Sequence, residues 1–197
     1  GLLQDDISNR LMSLAAAASD ARMAGSMTPV MSNSGSGNQG ITVTVPIFAM
    51  AEKLGTDREI LLRALTLGNL IAIHMKQFTG KLSALCGVIS AATGATTGIT
   101  YLLGGKLKNI NYAIKNMIGN IAGMICDGAK AGCALKVSTS VSAAFQAALL
   151  AMNEIEISEH DGIIEKDIEK TIKNLGIIGS NGMKETDKII LDIMTHK

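Results

Sequence analysis

The chain has 197 residues, with 18 Lys and Arg against 17 Asp and Glu, for a formal net charge of +1. That balance argues against a nucleic-acid binder, which gathers a basic excess on one face. Hydrophobic residues make up 47% and aromatic ones only 3%, so the apolar mass is Ala, Ile, Leu, Val and 11 Met, side chains suited to close-packed helices. Charged residues reach only 18%, and mean hydropathy is +0.30. Helices buried on several sides, or against a further partner, are expected.

Helix signals dominate in chain order. Residues 4–24 are Ala-rich and end at Gly25, a helix with its C-cap. Residues 26–40 hold Pro29 with repeated Ser, Asn and Gly, a loop by composition. Residues 41–45 alternate like a strand, but Pro46 follows at once, so a short helix over 43–54 with the proline in its first turn is predicted instead. Thr56 and Glu59 form a capping box for a helix to Lys76. A Gly-, Ala- and Thr-rich helix over 81–103 lets neighbouring backbones approach closely. Residues 109–125 place isoleucines at helical spacing. Glycines break residues 126–133, and an apolar helix covers 135–152. Residues 153–161 read as a solvated acidic link, followed by short helices over 164–175, with Gly176 as C-cap, and 184–194. The expected fold is all-α, one compact multi-helix domain of about eight helices around Gly/Ala-rich central ones.

A membrane span needs about 20 consecutive apolar residues. Residues 88–103 carry Ser90 and four threonines, and residues 141–152 are short and interrupted by Ser142 and Gln146, so neither is expected to span. No charged-then-apolar secretion signal opens the chain. The expectation is a cytoplasmic domain, the carboxyl-terminal part of a longer protein, in contact with neither membrane nor nucleic acid.

Three cysteines, Cys86, Cys126 and Cys133, are the main chemical candidates. An odd count without a secretion signal argues against a disulfide framework. Buried structural thiols are the plain alternative to a metal site. Each cysteine has glycine nearby: Gly87, Gly128 and Gly132. On an unbroken helix a seven-residue separation spans about 10 Å, but the glycines would let Cys126 and Cys133 converge. No paired zinc knuckle exists, whereas three cysteines with an open fourth position suit an iron–sulfur cluster with one iron free for substrate. Residues 32–40, rich in Ser, Asn and Gly and running into a helix, either hold an anion or form a flexible linker. His74 reads as a satisfied or exposed helical histidine, His160 and His196 as surface, and Lys130 and Lys136 as surface lysines beside the cysteines.

Three runs, Met31–Gly40 (MSNSGSGNQG), Leu85–Gly94 (LCGVISAATG) and Ile125–Lys136 (ICDGAKAGCALK), resemble the serine-dehydratase-like alpha family, and within it the L-cysteine desulfidases and their uncharacterised relatives. The resemblance covers essentially the whole chain. It implies an oxygen-sensitive 4Fe–4S cluster held by Cys86, Cys126 and Cys133, without pyridoxal phosphate. It also implies a substrate-carboxylate loop at Ser34, Gly35, Ser36, Gly37 and Asn38. Iron–sulfur L-serine dehydratases show a Thr-Ala-Pro-Thr-x-Gly-like loop where this chain has Asn33-Ser34-Gly35-Ser36-Gly37, and a wider spacing of their last two cysteines, so the desulfidase branch is favoured. The resemblance also implies an amino-terminal half, outside these residues, that contributes to the site.

The function so implied is a carbon–sulfur lyase converting L-cysteine and water to pyruvate, ammonia and sulfide. A dehydratase of L-serine or another β-substituted amino acid is the same-chemistry rival, and a non-catalytic iron–sulfur sensor or scaffold the rival of a different class. Expected partners are a small amino-acid substrate, the amino-terminal half and a second copy in a homo-oligomer; the fragment alone is expected to be inactive.

Overall fold

The computed structural model describes residues 4–80 and 83–196, and among them there are eight α-helices and no strands. The helices are α1 (Ile7–Met23), α2 (Gly37–Leu54), α3 (Arg58–Thr79), α4 (Gly87–Leu102), α5 (Leu107–Ile121), α6 (Cys133–Met152), α7 (Ile168–Ile177) and α8 (Lys184–Thr195). A π-turn, Ile178–Gly182, joins the last two. The all-α, single-domain expectation holds.

α4 is the axis of the bundle, touching α2, α3, α5 and α6. Its residues from Val88 to Thr100 are all buried, the pattern of a helix apolar on every side. The threonines survive burial because their hydroxyls are satisfied: Thr93 donates to Ile89 O, Thr97 to Gly94 O and Thr100 to Thr96 O, while Thr96 reaches across to Ala144 O of α6 at 2.7 Å. Close approach to α3 depends on paired glycines. A Cβ on Gly94 would stand 2.2 Å from Gly68 O, and one on Gly68 2.8 Å from Gly94 O.

Several boundaries differ from the sequence reading. α2 starts at Gly37, capped by Ser36, so Pro46 lies in the helix interior rather than its first turn. The alternation of residues 41–45 is therefore helical, and Ile41, Val43 and Ile47 are core. α3 is capped by Asp57, whose carboxylate accepts from Ile60 N at 2.9 Å, and not by Thr56; Asp is the better acceptor and Glu59 instead pairs with Arg63. α4 starts at Cys86–Gly87, so the helix predicted over 81–103 loses its first turn, residues 81 and 82 of which lie outside the described residues. Gly176 sits inside α7, packed on Phe78, rather than capping it.

Residues 153–161 are no loose link. Glu156 pairs with the almost fully buried Lys115 at 2.8 Å, Asn116 bonds both Ile155 O and Ile157 N, and Glu154 engages Lys108 and Asn109. The segment is strapped along α5. By length and composition α6 is long and apolar enough to cross a membrane, unlike the shorter stretch anticipated at 141–152; 44% of that window is buried here, against α1, α4 and α5.

Candidate functional site

The segment entering α4 runs antiparallel to the one leaving α5. Cys86 N donates to Met124 O at 2.9 Å and Cys126 N to Ala84 O at 2.6 Å, flanking the isolated bridge between Leu85 and Ile125. This puts Cys86 and Cys126 side by side although 40 residues separate them. Gly128, at φ +88, then turns the chain in a way a side chain would resist, and α6 opens on Cys133. The Cys133 thiol lies 3.7 Å from Gly128 O.

All three cysteines line one cavity of about 130 Å³, together with Ser36, Asn38, Gln39 and Lys136. Three helix amino ends meet there. Ser36 caps α2, Cys86 caps α4, and Cys133 is the first residue of α6. Unpaired amides and helix dipoles at such ends favour negative charge.

The thiols respond to this setting as a pair. A hydrogen bond shared between them, strengthened by the Gly128 amide and the Lys136 ammonium, pulls Cys126 down to about 5. The same shared bond, with burial, pushes Cys86 far above the usual thiol range. The two thiols therefore titrate together, with the anionic form favoured on Cys126. Burial works against the Lys136 ammonium, but Asp127 outweighs it and raises its pKa. Lys136 also donates to Ile125 O at 2.7 Å, fixing the cysteine loop. Hydrogen bonds from Lys130 and Lys136 hold the Asp127 carboxyl well below the ordinary carboxylate range.

The predicted loop residues divide. Ser36 and Asn38 line the cysteine cavity, whereas Ser34 and Gly35 line a neighbouring groove. Gly37 lines neither; it is buried under Arg22, whose Nε would stand 2.3 Å from a Cβ there. The first part of the loop is no free linker. Asn33 and Ser36 exchange backbone bonds at 3.1 and 3.0 Å around Ser34 (φ 51) and Gly35 (φ 81), and buried Asn33 donates to Asn69 of α3 at 2.9 Å.

Sequence reasoning assigned no individual role to Gln39 or Arg22 and read Lys136 as a surface lysine beside the cysteines. Gln39 is buried with its Oε1 unpartnered and lines the cysteine cavity. Arg22 Nη1 donates to Asn38 Oδ1 at 3.3 Å, which leaves the Asn38 amide nitrogen without a partner among the described residues, and Asn38 lines the cavity. Lys136, read as surface, is three-quarters buried; its place three residues after Cys133, on the same helix face, was the available signal. His74 pairs with Glu169 of α7 at 2.8 Å and is structural, as expected.

Among the described residues no three His, Cys, Asp or Glu side chains stand close enough to hold one metal ion. A 4Fe–4S cluster does not require that, because each cysteine binds a different iron and the sulfurs stay apart. Three thiols facing one cavity, donors at three helix ends and an orphaned amide oxygen fit such a group, provided that Cys86 and Cys126 rotate away from their mutual hydrogen bond.

The fold and the cavity define an all-helical protein with a small, cysteine-lined, anion-favouring pocket. The model of the serine dehydratase alpha chain matches residues 2–192, and the chain belongs to that family. It is 56% identical to a UPF0597 protein of Phocaeicola vulgatus and 55% identical to one of Oleidesulfovibrio alaskensis, each over 196 residues, all of this chain and 46% of the relative. A UPF0597 protein of Clostridium perfringens is 51% identical over 197 residues, again 46% of its length. The chain thus spans less than half the length of the curated relatives it matches. No solved structure matches it.

Proposed function

We propose that the chain carries the cluster-binding part of a carbon–sulfur lyase that converts L-cysteine and water to pyruvate, ammonia and sulfide. The observation that carries this reading is the convergence of Cys86, Cys126 and Cys133 with Ser36, Asn38 and Gln39 on one small cavity. A 4Fe–4S cluster held by the three cysteines would supply an open iron acting as a Lewis acid toward the β-substituent of the substrate. The amides at the start of α2 and the free Asn38 amide nitrogen offer donors for a carboxylate, and the unpartnered Gln39 Oε1 offers an acceptor for an α-ammonium. Those two complementary features suit a zwitterionic amino acid. Lys136 and the helix ends offset the negative charge of the thiolates.

Full activity needs the amino-terminal half of the longer protein, which we propose as the partner that closes the pocket. L-serine is the competing substrate. Anaerobic reconstitution of the full-length protein should give about four iron and four sulfide per chain. L-cysteine should then yield sulfide and pyruvate in equal amounts. Pyruvate from L-serine but no sulfide from L-cysteine would reassign the substrate, and a protein that holds no iron would remove the lyase reading.

A further inference from the structure

The loop between Cys126 and Cys133 has a second neighbour besides the cysteine cavity. Gly128 and Ala129 line that cavity, and with Asp127 and Lys130 they also line a groove of about 540 Å³ whose other wall is Ile190, Ile193 and Met194 of α8. The loop is thus the partition between cavity and groove. α8 comes closest at Met194, whose Cε would stand 2.9 Å from a Cβ on Gly128. The rest of the groove is open.

α8 has the pattern of a helix that packs on a surface, yet it is not seated on one. Ile189, Ile190, Ile193 and Met194 fall on one side of it, with Glu185, Lys188 and Asp192 opposite. The apolar side faces the loop, but no residue of α8 is buried, and Ile193 and Met194 are 55% and 45% exposed. Polar contacts do not tie it down either. Among the described residues the side-chain bonds of α8 stay within the helix and its cap: Lys188 to Glu185, Thr195 to Leu191 O and His196 to Asp192. An element with so little buried surface opens at low free-energy cost while the core stays closed. The turn before it supplies the hinge. Gly179 is fixed against Leu85 and Thr79, its carbonyl accepts from Ser83 at 2.6 Å, and Ser180 donates to Gly176 O at 2.7 Å. Those anchors end at Ser180. Asn181 and Gly182 are exposed, and the nearest atom to a Cβ on Gly182 would be Ile178 Cγ2 at 4.0 Å, so the backbone there has room to bend.

We infer that α8 is a hinged cover of the cysteine loop, which closes by seating its apolar side on Gly128, Ala129 and Lys130 and opens about residues 181–182. Closing buries Ile190, Ile193 and Met194 and holds the loop in one arrangement. Opening frees the loop to take another, the change that Cys126 needs before it can turn from Cys86 toward an iron of its own. The motion of α8 then governs how fast a cluster enters and leaves the cavity. That last step rests on the cluster reading; the cover itself does not.

The test is amide hydrogen exchange in the full-length protein prepared without iron. The amides of α8 should exchange at least about a hundredfold faster than those of the buried α4. The ends of the loop are reported by the amides of Cys126, bonded to Ala84 O, and of Cys133, Ala134 and Leu135, bonded to Lys130, Ala131 and Gly132. Ile190→Asp puts a carboxylate in the middle of the apolar side and should speed those four at least about tenfold, with α4 unchanged. Thr186→Leu, one turn before Ile190 on the same side, should slow them, and Lys188→Ser on the polar side should leave them as they are. In the reconstituted protein Ile190→Asp should also release iron to bathophenanthroline disulfonate at least about tenfold faster. Exchange in α8 as slow as in α4, or loop exchange unchanged in Ile190→Asp, overturns the cover. Faster exchange across α4 in that variant overturns it too, because α8 would then be part of the core. The cluster reading fails separately. A protein that binds no iron sinks that reading while the exchange rates still decide the cover, and faster loop exchange with unchanged iron release sinks only the link between them.

Discussion

Two glycines near the pocket illustrate how a missing side chain can serve opposite ends. A Cβ on Gly87 would meet the Gln39 amide at 2.6 Å, and that amide is the far end of a flexible side chain. A Cβ on Gly40 would meet the backbone oxygen of Met31 at 1.7 Å, and backbone cannot swing aside. Gly87→Ala should therefore keep the fold and melt within a few degrees of wild type, yet displace Gln39 and weaken amino-acid binding by roughly tenfold, the effect of one misplaced buried hydrogen bond. Gly40→Ala should instead lift residues 31–32 off α2 and cost at least about 2 kcal/mol. Paired melting curves and alanine titrations check both outcomes. Equal melting temperatures for the two variants would show that the contact at Met31 relaxes without cost.

At the level of elements the bundle is held by two kinds of contact that sequence patterns report unequally. The α3–α4 crossing is tight because Gly68 and Gly94 face each other, and Gly94→Ala would drive a methyl group into Gly68 O. Destabilisation of at least about 2 kcal/mol is expected, lowering the melting temperature by roughly 4–8 °C for a chain of this size. The strap of residues 153–161 depends on a charge pair in which Lys115 is far more buried than Glu156. Glu156→Gln strands a buried ammonium, whereas Lys115→Met removes the buried charge and keeps its stem, so the glutamine variant should be the less stable by at least about 1 kcal/mol. Chemical denaturation of the two variants decides it; a less stable methionine variant would mean that the ammonium is stabilised by something other than Glu156. The small-residue composition of α4 made the close crossing legible beforehand, and the cysteine and Ser–Asn–Gly runs made most of the cavity legible. The strap was not legible, because its acidic residues look solvated until Lys115 and Asn116 of α5 are placed against them. The position of Gln39 beside the cysteines was equally hidden, because it arises where α2 meets the start of α4, a relation that no local spacing encodes.

For the whole molecule the accessible surface is the telling quantity. A globular chain of 20.5 kDa exposes roughly 8,800 Å² when it folds alone. This one exposes 10,297 Å². The excess, about 1,500 Å², is on the scale that specific interfaces cover. Exposed apolar side chains contribute to it: Leu62, Leu70 and Ile73 form an exposed stripe on α3 ending beside the groove of Ser34 and Gly35, and α8 has no buried residue while exposing Ile189, Leu191 and Ile193. The proposed cluster, which would bind a small substrate yet stay shielded from bulk water, would need a cover. The relatives, of which this chain is 46%, have the additional length to supply one. Residues 1–197 alone should then show little lyase activity after anaerobic reconstitution, and adding the separately expressed amino-terminal half should restore it. Leu70→Asp, exposed here and remote from the cysteines in sequence, should leave the fragment folded but prevent that rescue. Cys126→Ser in the restored protein should instead abolish turnover together with iron content. Full activity from residues 1–197 alone would show that no second half is needed, and rescue undiminished by Leu70→Asp would place the cover elsewhere than the α3 stripe.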